Sequence, residues 1–472
     1  MLRRTAIATF ATTAMLLAAC GSGDDEGDDG AAPAPPSEEA ADPSLCPVDA
    51  LDAADGPVEI TFWHSMTASA ETTLGELIDD YNASQDRVVV RPVFKGGYVE
   101  NLEAYRAAVR GGEMPNLVQL EETVIQELID SQSVIPASAC VEAADFDTSD
   151  ILPRVLDEFT VEDTLWPVPF NTSNPVLYYN KKDFTEAGLD PEAPPATLAD
   201  IKTASQAIVD SGAANQGYAM EQRAWYVEQL FATSGEQIVN ENNGRDARAT
   251  EALLDSEAGE AVFTWTSEML EEGLAINVGR NDGGQDAFLA IASGDAAMTL
   301  GTSGALGSVY DVIESNPDLA AGVEIGIAPM PSISGGGEGS TNVGGAALWL
   351  ADTGDDAQKA ASWDFAAWLT QPEQQARWHI GTGYVPISEA AAEAPEVAAL
   401  WAERPGFRVA FDQLAVEDGP AGPVIGGYAG FREALNIGLE RLADGTDPLE
   451  SLAQTDAEAT QAITDYNRRV GA

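Results

Sequence analysis

Polar side chains follow three predicted strands of this chain, at positions where a parallel sheet usually meets its ligand. His64 follows the first predicted strand, Tyr98 the second and Glu122 the third. Ligand groups collect beyond the carboxyl ends of the strands in sheets with strand–helix order. A phenol and a carboxylate can hydrogen-bond to hydroxyl groups, so Tyr98 and Glu122 are candidates for binding. His64 is more typical of a structural residue beside such a site.

A second polar group precedes a predicted strand. Residues 171–174 (Asn-Thr-Ser-Asn) come just before the apolar run 176–179, and Pro175 at the first strand position costs no internal ladder bond. The segment presents hydroxyl and amide groups to a ligand while the strand stays buried. The alternative is an ordinary loop that feeds a core strand.

Few residues of this chain are arranged in patterns known for catalysis. His64 and His379 are its two histidines, and the sequence has no Gly-x-Ser-x-Gly elbow, Walker loop, dinucleotide fingerprint or His-Glu-x-x-His motif. Carboxylate pairs are so common in an acidic chain that none of them indicates a glycosidase. Catalysis is therefore poorly supported, and we expect neither a cofactor nor a metal. An exported glycan- or phosphodiester-hydrolysing enzyme is kept as one alternative function, and a purely structural surface lipoprotein as another.

The elements that must position these groups alternate between strand and helix. Apolar periodicity predicts an α/β protein in which parallel strands come first and helices dominate after residue 197. Strands are predicted over 58–63, 87–94, 116–120, 176–179, 297–300, 323–328 and 342–350. Helices are predicted around 74–81, 98–109, 197–211, 225–234, 257–272, 284–293 and 357–369.

Size and charge restrict the possible partners. A chain of 472 residues is too long for one hydrophobic core, so at least two domain-sized units are expected. Lys and Arg total 23 against 78 Asp and Glu, which gives a formal net charge of −55. Nucleic acid is excluded as a partner because phosphate-backbone binding needs clustered cations, and an anionic membrane surface would repel the body of the protein.

The N-terminus has the pattern of an export signal. Residues 1–19 combine a basic start, a short apolar run and small residues, and the sequence Leu-Ala-Ala before Cys20 resembles a bacterial lipobox. We predict a lipoprotein signal peptide, with lipidated Cys20 anchoring the exported protein to the outer face of the cell membrane. A plain signal peptide with an incidental cysteine is the alternative. Residues 20–56 are predicted to be a flexible acidic linker, favoured over a calcium loop because the EF-hand pattern is missing.

Two cysteines remain in the exported part. Cys46 and Cys140 are predicted to form a disulfide, because the compartment outside the cytoplasm is oxidising. Closing so long a loop would contribute about 4–5 kcal/mol on the chain-entropy estimate. Two free thiols, or a metal site shared with His64, are weaker alternatives.

Several ordered motifs give the chain a family resemblance that covers nearly everything after residue 57. It resembles the extracellular solute-binding proteins of ABC importers, and within them the sn-glycerol-3-phosphate-binding components. The motifs are TFWHSM (61–66), KGGYVENL (95–102), residues 170–180, AGLDPEAPP (187–195), GDAAMTLGTSG (294–304), GGAALW (344–349) and TGYVPI (382–387).

The resemblance implies a two-lobed periplasmic-binding-protein fold of type II, similar to maltose-binding protein, with the ligand in a cleft between the lobes. The N-terminal lobe is expected over 57–168 and 345–382, and the C-terminal lobe over 169–344 and 383–472. The expected partners are a small-molecule ligand and the transmembrane permease subunits of the importer. The protein is expected to be a monomer.

The resemblance also implies a set of ligand contacts. A phosphate ester needs fixed donors, which the guanidinium, hydroxyl and glycine amide groups of this set supply, and the tyrosines cover the carbon skeleton. Glutamine replaces a family tryptophan at one position, which would admit a larger glycerophosphodiester such as glycerophosphocholine. An oligosaccharide is the alternative ligand. The implied contact positions are Tyr98, Glu122, Ser173, Gln222, Ser303, Gly345, Tyr384 and Arg432.

Overall fold

The computed structural model describes residues 42–280, 284–335, 340–415 and 421–472. The predicted signal peptide (1–19), Cys20 and the linker up to residue 41 lie outside the described residues. The strands are β1 (Val58–His64), β2 (Val88–Phe94), β3 (Leu117–Glu121), β4 (Val134–Ile135), β5 (Thr160–Val161), β6 (Thr164–Leu165), β7 (Val168–Ser173), β8 (Pro175–Asn180), β9 (Gln216–Glu221), β10 (Ala275–Gly279), β11 (Ala296–Thr302), β12 (Ile325–Pro329) and β13 (Gly344–Ala351).

Helices surround these strands and dominate the C-terminal third. They are α1 (Ala68–Ser84), α2 (Tyr98–Gly111), α3 (Ile125–Ser131), α4 (Ala137–Ala144), α5 (Pro153–Phe159), α6 (Lys181–Glu186), α7 (Leu198–Ser211), α8 (Ala224–Thr233), α9 (Asn240–Gly244), α10 (Glu257–Glu271), α11 (Gln285–Ser293), α12 (Leu306–Ser315), α13 (Pro317–Gly322), α14 (Asp356–Leu369), α15 (Pro372–Thr382), α16 (Glu389–Ala392), α17 (Pro395–Glu403), α18 (Gly406–Leu414), α19 (Tyr428–Ala443) and α20 (Pro448–Val470). Short 3₁₀ turns cover Pro43–Leu45, Val48–Ala50, Glu122–Val124 and Ser303–Ala305.

Several helices begin where the sequence offers a capping side chain. Thr197 accepts a hydrogen bond from the backbone of Asp200 at the start of α7, and Ser256 does the same for Gly259 in α10. Asp355 and Gln358 form a reciprocal capping box at α14. These bonds satisfy backbone N–H groups that have no partner inside the helix.

The first lobe is built on a sheet with strand order β2-β1-β3-β13-β4, to which β7 adds by pairing with β13. Strands β1, β2 and β3 are parallel to one another, as the strand–helix order predicts, whereas β13 runs antiparallel to β3 and β7. Helices α1 and α14 cover this sheet, and the core between them contains Phe62, Leu77 and Phe365. The carboxyl ends of β1 and β3 point to the edge where His64 and Glu122 stand.

The second lobe is built on a sheet with strand order β10-β9-β11-β8-β12. Strands β9, β10 and β11 are parallel, and β8 is antiparallel to both β11 and β12. The core of this lobe packs α7, α8, α10, α19 and α20 against the sheet. Strands β9 and β10 are not among the sequence predictions.

Polar residues 171–174 exclude the alternative of an ordinary loop. They do not form a loop: β7 continues through Ser173, and the four side chains are almost completely buried. The chain crosses to the second lobe at Asn174, and β8 opens the second sheet. The predicted lobe boundary at residue 169 therefore falls inside a strand of the first sheet.

Residues 42–56 correct another expectation, because they belong to the folded unit rather than to a flexible linker. Cys46 and Leu51 are buried in the core of the first lobe. The predicted disulfide is present between Cys46 and Cys140, with the two Cα atoms 5.0 Å apart. The cross-link and the apolar contacts fix this segment, and they exclude the alternatives of free thiols or a shared metal site with His64.

Candidate functional site

Four charged side chains meet where the lobes touch. Arg432 on α19 donates from Nε and Nη2 to the two carboxylate oxygens of Glu228 on α8, both at 2.8 Å. Its Nη2 also lies 3.2 Å from Glu122, and its Nη1 lies 3.2 Å from Glu121. We call Arg432, Glu121, Glu122 and Glu228 the ion cluster. It joins the second lobe to the end of β3 in the first.

Burial and charge set the protonation of the ion cluster. Burial raises the pKa of Glu122 well above its usual value, and the neighbouring Glu121 adds to this rise while Arg432 opposes it. Burial alone would lower the pKa of Arg432, but the carboxylates of Glu228 and Glu121 raise it. Within the described residues the Oε2 atom of Glu122 has no hydrogen-bond partner. That oxygen can accept a bond from a ligand hydroxyl.

Neutral groups make the second half of the site. The phenols of Tyr98 and Tyr384 lie 3.1 Å apart, and Asn171 donates to the Tyr98 oxygen at 3.0 Å. Gln119 in turn donates to the Asn171 side chain at 2.8 Å and accepts from the backbone of Ser65 at 3.0 Å. We call Tyr98, Tyr384, Asn171 and Gln119 the phenol–amide network. Burial raises the pKa of both tyrosines, so they remain neutral phenols.

His379 positions Tyr384 from behind. The Nε1 atom of Trp401 donates to His379 Nε2 at 2.8 Å, so the proton of the imidazole is on Nδ1, which donates to the Tyr384 carbonyl at 2.7 Å. Burial lowers the pKa of His379 to about 4, and the ring is therefore neutral at physiological pH. The Tyr384 ring stacks on Trp378 and lies against Gly304, where a Cβ atom would stand 2.9 Å from it.

The two predicted serines lie at the crossing between the lobes. Ser173 ends β7 opposite Gly344, and its hydroxyl forms no hydrogen bond within the described part of the chain. The Ser303 hydroxyl accepts a bond from the Asn174 backbone at 3.2 Å, which leaves its own proton to donate. Both hydroxyl protons are therefore uncommitted within the described residues, and both serines are buried where the chain crosses between the lobes.

Two other predicted contacts have structural roles that the sequence did not show. Gly345 has a φ of +99°, and a Cβ atom there would lie 2.1 Å from the Asn171 carbonyl oxygen. The pairing of β13 with β7 therefore already requires glycine at this position. Gln222 is buried directly after β9, and its backbone donates to Gly279.

Several residues of the site were not identified as functional from the sequence. Glu228 and Gln119 lie in the ion cluster and the phenol–amide network, Arg223 stands next to Gln222, and Trp225 packs against Gly344. The Trp225 ring is nearly buried. Arg223 had one indication in the sequence, because cations are scarce in this chain.

The lobes also touch at two further places. Asp130 on α3 accepts from Arg248 at 2.6 and 2.9 Å and from the Tyr466 phenol at 2.9 Å. On another side, Ser69 and Ser308 join α1 to α12 at 2.8 Å. The structure is therefore a closed arrangement.

Other surfaces are weaker candidates for a functional site. A surface cavity of about 660 Å³ lies in the second lobe away from the site, and its charged lining is acidic, from Glu236, Glu251, Asp255 and Asp456. Over the described ranges, no three His, Cys, Asp or Glu side chains are arranged to hold a metal ion. In the same ranges, no helix combines the length and the apolar character needed to cross a membrane.

Comparisons with known proteins identify the family. The sequence profile of the bacterial extracellular solute-binding proteins matches residues 76–405. The sn-glycerol-3-phosphate-binding periplasmic protein UgpB of Yersinia pestis bv. Antiqua is 33% identical over 363 residues, which are 75% of this chain and 80% of that protein. The UgpB protein of an Escherichia coli O6 strain is 32% identical over 364 residues, with the same coverage.

Solved structures share the fold. UgpB from Mycobacterium tuberculosis in complex with glycerophosphocholine superposes with a TM-score of 0.73 at 21% identity, covering 88% of this chain and all of that one. The cyclic α-maltosyl-1,6-maltose binding protein from Arthrobacter globiformis gives 0.71 at 22% identity, covering 87% of this chain and all of that one. The expected two-lobed fold similar to maltose-binding protein is confirmed. The chain belongs to the bacterial extracellular solute-binding protein family.

Proposed function

We propose that this member of the extracellular solute-binding family captures sn-glycerol 3-phosphate or a glycerophosphodiester such as glycerophosphocholine and delivers it to the permease of an ABC importer. It acts without turnover of the ligand. The ligand contacts both lobes only when they are closed, so binding shifts the population towards the closed state.

One observation carries the proposal. The interlobe site combines available hydroxyl donors, on Ser173 and Ser303, with an unpartnered acceptor, the Oε2 atom of Glu122. Phosphoryl oxygens need donors and glycerol hydroxyls need acceptors. The UgpB relatives, which are named as sn-glycerol-3-phosphate-binding proteins, support the same ligand class.

The charge of the site favours a diester over a monoester. Arg223 and Arg432 are its cations, against four carboxylates from Glu121, Glu122, Glu221 and Glu228. Even with Glu122 protonated, the carboxylates outnumber the guanidinium groups. A phosphate monoester brings about −1.5 to −2 charges at pH 7, whereas a diester brings one. A ligand with a cationic head group, such as choline, would offset the excess acid further.

The remaining parts of the proposal concern location and assembly. The protein is exported, is held at the outer face of the membrane by lipidated Cys20, and works as a monomer that docks on the transmembrane permease subunits. The family description as extracellular and the N-terminal sequence pattern support export. The predicted contacts Tyr98, Tyr384, Gly345 and Gln222 are part of the same proposal, whereas Arg432 is proposed to join the closed lobes rather than to bind the phosphate.

Calorimetry with the purified protein tests the ligand class. Glycerophosphocholine, sn-glycerol 3-phosphate and maltotriose are titrated separately, and each ligand is recovered afterwards and checked for chemical change. We expect saturable binding of the two phosphate ligands, with glycerophosphocholine bound more tightly and recovered intact.

Other outcomes would replace the proposal. Tightest binding of maltotriose would assign the protein to the oligosaccharide binders, whose fold it also shares. Conversion of a phosphodiester during the titration would indicate an enzyme. No saturable binding of any of the three ligands would leave the ligand class unsupported.

A further inference from the structure

Most hydrogen-bond donors of Arg432 are already used by carboxylates. Glu228 takes its Nε and Nη2 donors at 2.8 Å, and Glu122 and Glu121 lie 3.2 Å from its terminal nitrogens. Three carboxylates therefore already surround its single charge. A phosphoryl group could reach the remaining donor, Nη1, only beside the Glu121 carboxylate, which lies 3.2 Å from that nitrogen and would repel the phosphate charge.

Arg223, at the start of α8, is in the opposite situation. Across the described ranges its nearest acidic partner is Glu221, at 4.0 Å, which is beyond hydrogen-bond distance. Its guanidinium makes no hydrogen bond to any residue in those ranges. A largely buried guanidinium whose N–H groups make no hydrogen bond is unusual, because buried donors normally have partners.

Two aromatic rings lie beside this guanidinium without using its donors. Its central carbon lies 5.0 Å from the centre of the Trp225 ring and 5.8 Å from that of Tyr226. A cation–π contact uses none of the N–H groups, which are left for a bidentate contact with a phosphate. The side chain is 23% exposed, so a ligand can reach it.

The same contacts place Arg223 at the predicted site. The Trp225 ring packs against Gly344, which pairs with Ser173 across β13 and β7. Burial would lower the pKa of Arg223, but the phenol of Tyr226 and the carboxylates of Glu221 and Glu121 raise it, so the charge is retained. Arg223 therefore lies within electrostatic reach of the first lobe.

We propose that Arg223 recognises the phosphoryl group of the ligand, whereas Arg432 holds the closed lobes together. This inference rests on the proposed function, because it assumes a phosphate-bearing ligand. It assigns the anion to a residue outside the predicted contact set, next to Gln222. The Ser173 hydroxyl would share the same phosphoryl group.

Calorimetry on four proteins tests this assignment: the wild type, Arg223→Gln, Arg223→Lys and the control Arg468→Gln. Arg468 pairs with Asp465 on the exposed face of α20, so its replacement removes one positive charge of the second lobe far from the site. Glycerophosphocholine and sn-glycerol 3-phosphate are the ligands, and melting temperature reports folding. We expect Arg223→Gln to weaken binding of both by about 100-fold, Arg223→Lys by about 10-fold because Lys lacks the planar fork, and Arg468→Gln by less than about twofold.

Each alternative result is informative. Wild-type protein that binds neither ligand would overturn the proposed function, whatever Arg223 does. A wild type that binds while Arg223→Gln binds equally well would overturn the role of Arg223 alone. If Arg223→Gln does not fold, the affinity of Arg223→Lys tests the assignment. Undiminished affinity in that variant would show that the ligand is not bound through the bidentate guanidinium fork of Arg223.

Discussion

The ion cluster and the phenol–amide network occupy one interlobe site with different chemistry. The network is neutral, and Tyr98, Asn171 and Gln119 all belong to the first lobe. The ion cluster spans both lobes, with short bonds from Arg432 to Glu228 inside the second lobe and longer ones to Glu121 and Glu122 across the gap.

This difference indicates how the site works. Hydrogen bonds within one lobe are already formed before closure, so the network is a preorganised surface for the ligand. The contacts of Arg432 with Glu121 and Glu122 can form only when the lobes meet. We therefore infer that the network selects the ligand and that the ion cluster sets the energy of closing.

Removal of Arg432 should have the largest effect on stability. Arg432→Ala leaves Glu228 and Glu122 buried without their cation, which should cost about 3–5 kcal/mol in the free energy of unfolding. Urea denaturation measures this loss. Adding Glu228→Gln to the variant should recover part of it, because one uncompensated charge is then removed. Unchanged stability with lost ligand binding would instead make Arg432 a ligand contact.

Acid should lower the free energy of unfolding through His379, which supports Tyr384 in the phenol–amide network. Its pKa is about 4 in the folded protein and 6.5 when unfolded, so the unfolded chain takes up the proton first as the pH falls. The contribution of this group is complete above pH 6.5 and decreases towards pH 4, by about 3 kcal/mol in total.

The comparison with a non-titrating variant isolates this effect from the many acidic groups. The free energy of unfolding of His379→Asn should fall less steeply between pH 6.5 and 4 than that of the wild type. Parallel pH curves for the two proteins would show that His379 is not the titrating group.

Loss of the Ser173 hydroxyl should have the smallest effect, and only on binding. Ser173→Ala removes a donor that no described residue uses, so the melting temperature should not change, while affinity for glycerophosphocholine should fall about 10-fold. Ser315→Ala, on the exposed surface of α12, is the control. A drop in melting temperature without loss of affinity would make Ser173 structural.

Much of the fold could be predicted because its determinants are local. Apolar periodicity located β1, α7, α10 and α14 to within about two residues. Strands β9 and β10 were missed because they are short, and glycine or polar residues weaken their alternation. Residues 171–174 were left outside the predicted strands because they are polar, whereas partners such as Gln119 allow polar side chains to be buried in β7.

The site was harder to predict because its pairings are distant in sequence. Arg432 lies 204 residues from Glu228 and 310 from Glu122, and no local pattern indicates such partners. Family resemblance led to Arg432, Tyr98 and Tyr384, but it did not show that Arg432 is surrounded by carboxylates. Arg223 is absent from the predicted set for the same reason, since an uncommitted donor is visible only once the neighbours are known.

The disulfide between Cys46 and Cys140 has a mechanical consequence. Asp42 enters the first lobe, and the cross-link ties the following residues to α4 of that lobe. A pulling force applied at residue 42 is therefore carried by a covalent bond into α4 of the first lobe, and it bypasses the crossing between the lobes at Asn174. The first lobe acts as the fixed frame, and the second lobe can open and close without working against the load.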